Sequence, residues 1–250
     1  MKNKDLRLID HLEELRKRVI ITLLAFIVSF VGSFVFVQDI YKWLVKDFDG
    51  KLAILGPSDI LWVYMMIAAV FAIAATIPVA AFQTWRFVSP ALNPEERKVS
   101  LRFIPWLFLL FMAGISFGFF VLFPAVLSFL TNLSAGQFET IFTAEKYFRF
   151  MIHLTLPFGF LFEMPLAVMF LTRLGILNPK RLAKVRKISY FFLVVISVLI
   201  TPPDLLSDIL VIIPLLVLYE VSVTLSGMVY KKKLVSEGTL HNADRFAESG

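Results

Sequence analysis

Between Phe103 and Leu130 the chain runs for 28 residues without a charged side chain. At about 1.5 Å of helical rise per residue this is longer than the ~30 Å of hydrocarbon in a bilayer requires. Five more apolar segments accompany it: Val19–Val37, Ile60–Trp85, Phe150–Thr172, Ile188–Thr201 and Ile209–Val229. A soluble core of 250 residues could not bury all six together with 27 Phe. Composition agrees. Hydrophobic residues make up 58% and charged residues 18%, against roughly 45–50% and about 25% in soluble domains. The mean hydropathy of +0.80 spreads the excess over the whole chain. The sequence therefore reads as an all-α, polytopic integral membrane protein with six transmembrane helices.

The spans differ in character. Ile60–Trp85 is rich in alanine, with Pro78 as an expected kink. Pro124 is expected to end or bend the third span, leaving its remainder near the interface. The fourth is interrupted by His153 and Glu163, and the fifth is short, stopped by Pro202-Pro203. Segments five and six can be two crossings or one re-entrant hairpin, and both return the chain to the same side. Ile40, Tyr41, Leu44, Val45 and Phe48 recur at helical spacing among charged residues, which predicts a short amphipathic helix at the membrane surface. We expect one transmembrane domain over 1–235 and a disordered tail over 236–250.

Orientation follows from the basic residues. Twenty of the 25 Lys and Arg lie in the N-terminal stretch, the second and fourth connections and the tail; five lie in the other connections. Such asymmetry marks the cytoplasmic face, so both termini are expected inside. The formal charge of +6 thus reports topology, and no nucleic-acid partner is expected. The polar stretch before the first span has no small-x-small site after it, so no cleavable signal is expected.

Three places carry chemistry-bearing residues. In Asp10-His11-Leu12-Glu13-Glu14-Leu15-Arg16-Lys17-Arg18 an apolar stripe (Leu8, Leu12, Leu15, Val19) makes a polar helix that runs into the first span. Asp10 and Glu13 resemble a capping box. Glu13 and Glu14 can each pair with a base at i+4, or receive an incoming cation at the interface. Phe87-Val88-Ser89-Pro90-Ala91-Leu92-Asn93-Pro94-Glu95-Glu96-Arg97 is a proline-shaped turn whose acids open the next helix, where they offset its dipole or serve a ligand. Glu163 sits in mid-span, where a carboxylate costs about 2.5–3.5 kcal/mol on insertion scales and should face protein or water. Glu220, nearer the cytoplasmic end, is explained by snorkelling or by pairing with the basic tail.

Other patterns lose their usual meaning here. Gly114-Ile115-Ser116-Phe117-Gly118 matches G-x-S-x-G, but inside an uncharged span it reads as G-x-x-x-G for close helix packing. There is no phosphate-binding G-x-x-x-x-G-K-[ST] loop. With no Cys and three scattered His, neither a metal site nor another cofactor is expected.

Taken in order, these stretches resemble the TatC family, the multi-spanning subunit of the twin-arginine (Tat) protein translocase. The matching residues are His11-Leu12-Glu13-Glu14-Leu15-Arg16, Phe87-x-x-Pro90-x-Leu92-x-x-x-Glu96-Arg97, Phe162-Glu163-x-Pro165 and Thr201-Pro202-Pro203-Asp204. Ala91 departs from the family pattern, which usually has Gly there. The resemblance implies a translocase component, not an enzyme, in the cytoplasmic (inner) membrane of a prokaryote. It implies recognition of twin-arginine signal peptides of folded precursors, single-span TatA- and TatB-type partners in a multimeric complex, and energy from the proton-motive force. Carried onto this chain, it places signal binding at Glu14 and Glu96, with Arg16, Phe87, Pro90, Leu92 and Arg97 in the same binding region. It makes Glu163 the intramembrane acid of transport and puts Asp204 in the outer 5–6 connection.

The carried-over roles make physical sense. Guanidinium is planar, permanently charged and matched to carboxylate geometry, so Arg–Glu recognition resists replacement by Lys. Two rival classes remain. An ion-coupled solute transporter expects a polar midplane site with broken helices, and an intramembrane protease needs a Ser–His or paired-Asp arrangement inside the spans.

Overall fold

Without water in the bilayer core, each backbone amide must be satisfied within its own segment, so apolar runs of this length fold as helices. The computed structural model bears this out. It describes residues 2–46, 48, 51–91, 94–134, 141–201 and 205–248, with backbone alone for 2–10, 91, 95–96, 98–99, 134, 205 and 233–248. Ten α-helices follow in order: α1 (Lys2–Val35), α2 (Val37–Leu44), α3 (Pro57–Val88), α4 (Pro94–Phe117), α5 (Phe123–Ser134), α6 (Ala144–Phe162), α7 (Met164–Arg173), α8 (Pro179–Lys184), α9 (Arg186–Ile200) and α10 (Leu205–Glu248). No strand occurs among the described residues; the connections before α3 and before α6 share one isolated parallel bridge, Ala53 with Thr143. The protein is a six-span, all-helical membrane protein. Five spans are long and apolar enough to cross by themselves, and α9, of 15 residues, is the short one.

The chain falls into two compact units, Met1–Gly159 and Phe160–Gly250, where one domain over 1–235 was expected. The division lies inside the fourth span, close to a break in its helix. α6 stops at Phe162 and α7 starts at Met164, with Glu163 between them. Pro165 is the cause, since it stands in the first turn of α7 and has no N–H to continue the ladder of α6.

In the first unit α1 and α3 lie side by side and antiparallel, so residue 18 meets residue 83 and residue 11 meets residue 87. α4 packs on α6 through glycine. A Cβ on Gly114 would fall onto the Phe158 carbonyl, one on Gly118 would lie 2.8 Å from Thr155 Cα, and one on Gly159 would lie 2.6 Å from the Phe111 ring. The G-x-x-x-G reading is correct, and its contact partner is α6.

Pro124 does not end the third span. The helix runs on through α5 to Ser134, because the turn before the proline, Gly118–Leu122, widens to π geometry. Widening the turn accommodates the ring and the missing donor. The amphipathic helix is α2, and its aromatic residues pack on protein as well as meeting the surface. Tyr41 sits 5.4 Å from Phe148 and Trp43 stacks on Phe119 at 5.6 Å. Where the connections before α3 and before α6 meet, Ala53 N–H donates to the Phe142 carbonyl, and Ala144 N–H donates to the Ala53 carbonyl, both at 2.8 Å.

In the second unit α7 reverses through Gly175, whose φ of 80° suits a residue without Cβ. Ile176 N–H then bonds back to the Leu171 carbonyl at 3.0 Å. α7 and α10 share a buried hydroxyl pair, Thr172 with Ser226 at 2.7 Å. Glu220 pairs across to α9, with Arg186 at 2.9 Å and the Tyr190 hydroxyl at 2.5 Å, and not with the basic tail. The backbone of α10 continues as helix to Glu248, through most of the tail expected to be disordered. No proline interrupts it after Pro214.

Candidate functional site: where the ends of α1, α3 and α4 meet

α1 begins at Lys2, so Asp10 and Glu13 lie inside the helix and do not cap it. Four residues apart, Glu14 and Arg18 share a face, and Arg18 Nη2 donates to Glu14 Oε1 at 2.9 Å. The other arm of the guanidinium, Nη1, donates to Gln83 Oε1 on α3 at 3.4 Å. Glu13, by contrast, is a solvated side chain 3.9 Å from Arg16.

Four residues along α3 from Gln83, Phe87 stacks on His11 of α1 at 4.3 Å between ring centroids. Between them is Trp85, whose ring carries the Arg97 guanidinium of α4 at 5.7 Å, within the range of a cation–π contact. The last turns of α3 thus hold both the N-terminal helix and the start of α4. Ser89 and Pro90 follow in a short 3-10 turn, Ser89–Ala91; Pro90 is exposed and Ser89 buried.

Glu14 is neither fully solvated nor sealed. Its side chain is 34% exposed, and it borders a surface depression of about 570 Å³ lined also by Glu13, Arg16, Lys17, Arg18, Ile20 and Ile21. Three polar atoms nearby are buried without a hydrogen-bond partner: Arg18 Nε, Trp85 Nε1 and Ser89 Oγ. Among the described residues no group of three or more His, Asp or Glu could hold a metal ion.

Residues 10–214 match the family described as Sec-independent protein translocase protein, TatC. The chain belongs to the TatC family. It is 70% identical over 237 residues to TatCd of Bacillus subtilis strain 168, covering 95% of this chain and 98% of that one. TatCy of the same strain is 44% identical over 254 residues, covering 100% and 98%. A crystal structure of the twin arginine translocase receptor TatC superposes with a TM-score of 0.77 at 32% identity, covering 88% of this chain and 99% of that one.

Within the TatC fold, the residues singled out from sequence separate into groups. Glu14, Phe87 and Arg97 lie on the three helix ends just described, while Arg16 points to solvent and Pro90 sits in the following turn. Leu92 and Asp204 lie outside the described residues. Glu96 has only its backbone described, in the first turn of α4. Glu163 lies at the break in the fourth span, with its Oε1 buried and lacking a hydrogen-bond partner. Sequence reasoning missed His11, Gln83 and Trp85 as the residues that join the helices. His11 stands in the matched motif and could have been singled out, whereas nothing distinguishes Gln83 inside an apolar run.

Proposed function

We propose that this TatC-family protein is the signal-reading subunit of a Tat translocase. In this reading it lies in the cytoplasmic membrane of a prokaryote with both termini inside, and Glu14 and Glu96 receive the two arginines of a signal peptide. Arg16, Phe87, Pro90, Leu92 and Arg97 shape the binding region, and Asp204 belongs to the outer 5–6 connection. Single-span TatA- and TatB-type partners complete a multimeric complex that exports folded proteins on the proton-motive force. The observation that carries the reading is the His11–Phe87 stack, because it brings the segment bearing Glu14 against the segment that leads to Glu96. The half-exposed Glu14 carboxylate beside an open depression supports it, as do the twenty basic residues assigned to that face, which mark it as cytoplasmic.

Co-purification with tagged signal peptides tests this directly. A peptide with Arg-Arg is expected to be retained by the purified protein and its Lys-Lys variant to be lost, since an ammonium cannot reproduce the two-pronged guanidinium contact. Equal retention of the two would leave no twin-arginine receptor here.

Glu163 belongs to a later step. A buried carboxylate oxygen without a partner is costly, and a residue that gives only structure is better served by glutamine or an apolar side chain. Glu163→Gln is expected to insert normally and to bind signal peptide as the parent does, yet to export a reporter poorly. Full export activity in Glu163→Leu would make the acid a bystander.

A further inference from the structure

Resting on the reading of Glu14 as the acceptor for a signal arginine, we propose that Arg18 is a positioning residue. It clamps Glu14 from the α3 side and sets the preference of the site for arginine over lysine. By spacing alone Arg18 is an ordinary helix-pair base, but its environment is unlike that of a surface ion pair. Its side chain is 13% exposed, and Gln83, which takes its other arm, is 8% exposed. Solvated pairs on one helix swing freely and hold nothing in place. This guanidinium is fixed between two helices, and the carboxylate inherits its position.

The geometry of the pair shows which way the acid is turned. Nε and Nη2 form one edge of the guanidinium fork, and a carboxylate that optimised its contact with Arg18 alone would close on both. Here only Nη2 reaches Glu14 Oε1, while Nε is buried without an acceptor. The carboxylate is therefore rotated out of the two-pronged arrangement. An ionised carboxylate has about four lone-pair sites, and the contact with Arg18 uses one of them. The rest are left to donors arriving from the depression that Glu14 borders.

Charge gives the second half of the argument. Arg18 offsets the field of Glu14 beyond contact distance, so a compact ammonium, which binds as a point charge, gains little there. A guanidinium gains from directed short-range hydrogen bonds, which survive that neutralisation. The clamp thus gives up general attraction for cations and keeps geometric discrimination.

The test is a binding titration of labelled Arg-Arg and Lys-Lys signal peptides on the full-length, detergent-purified protein and its Arg18→Gln, Arg18→Lys and Gln83→Leu variants. Arg18→Gln is expected to weaken Arg-Arg binding about tenfold while Lys-Lys binding holds or rises, so the ratio of affinities falls by tenfold or more. Arg18→Lys keeps the charge without the fork and is expected not to restore the ratio. Gln83→Leu, which leaves both charges in place, should move it in the same direction by a smaller factor, and it decides the matter if Arg18→Gln does not fold. An equal loss for both peptides would reduce Arg18 to a structural residue, and tighter Arg-Arg binding would make it a competitor; either result overturns the proposal. Glu14→Ala separates the two levels. If Arg-Arg binding survives it, the acceptor reading fails; if binding is lost there while Arg18→Gln and Gln83→Leu leave the ratio unchanged, only the clamp fails.

Discussion

Glu14→Ala is expected to weaken binding of an Arg-Arg signal peptide by about 1.5–3 kcal/mol, the range for a hydrogen bond to a charged group. At about 1.4 kcal/mol per factor of ten this is roughly a 10- to 150-fold rise in Kd. Glu96→Ala is expected to behave alike, because in the proposed reading each acid answers one arginine. Partial exposure of Glu14 favours the lower half of the range, since water competes for the carboxylate and salt screens it. Truncation also strands Arg18, whose guanidinium would keep only Gln83 as a described partner, and that adds a repulsive charge to a site meant for cations. Labelled peptide and purified protein suffice for the measurement. Unchanged affinity in both single variants would falsify the assignment of these two acids.

The second large effect concerns α4 and α6. Gly118→Leu places a branched side chain where even a Cβ lies 2.8 Å from the Thr155 backbone, and Gly114→Leu drives one into the Phe158 carbonyl. Neither neighbour can yield, because both clashes are with main chain. Overpacking of a tight core costs about 1–3 kcal/mol and occasionally more; these substitutions belong at or above the top of that range, as loss of a folded peak in detergent or a steep fall in Tm. Gly32→Ala is the matched control. A Cβ there meets nothing within 4 Å, and alanine is the better helix former by about 1 kcal/mol, so Tm should hold or rise. A folded, thermally unchanged Gly118→Leu would mean that the helices do not meet at this face.

Much of the fold was open to reading from residues alone. Five spans follow from run length and apolarity, while the short fifth segment could be read either as a crossing or as half of a re-entrant hairpin. The glycine pair at 114 and 118 announced a close approach because small residues four apart share a helix face. The Glu14–Arg18 pair follows from i+4 spacing. What escaped did so for identifiable reasons. Inside an apolar span, lipid-facing and protein-facing residues look alike, so the sequence could not say that α6 is the partner of Gly114 or that Gln83 turns inward to Arg18. Pro124 and Pro165 look equivalent in sequence, yet the first is absorbed by a widened turn and the second separates α6 from α7; local propensity does not contain that difference. The amphipathic pattern of α2 gave its helix correctly but not its packing, because an apolar stripe fits a lipid surface and a protein groove equally well. Of the candidate site, Glu14, Phe87 and Arg97 were singled out from sequence, while the contacts of His11, Gln83 and Trp85 that join the helices were not.

The joint between the connections before α3 and before α6 illustrates a different kind of economy. The tie between Ala53 and the Phe142–Ala144 segment uses amide and carbonyl groups only, which every amino acid but proline can supply in full. Two connections some ninety positions apart are therefore fastened by a main-chain seam indifferent to side-chain identity, beside which Phe48 and Phe142 pack edge to face at 5.8 Å. Drift in the lettering of these loops away from that ring pair leaves the main-chain fastening intact, so the rest of their sequence is free to be reshaped by whatever meets this surface.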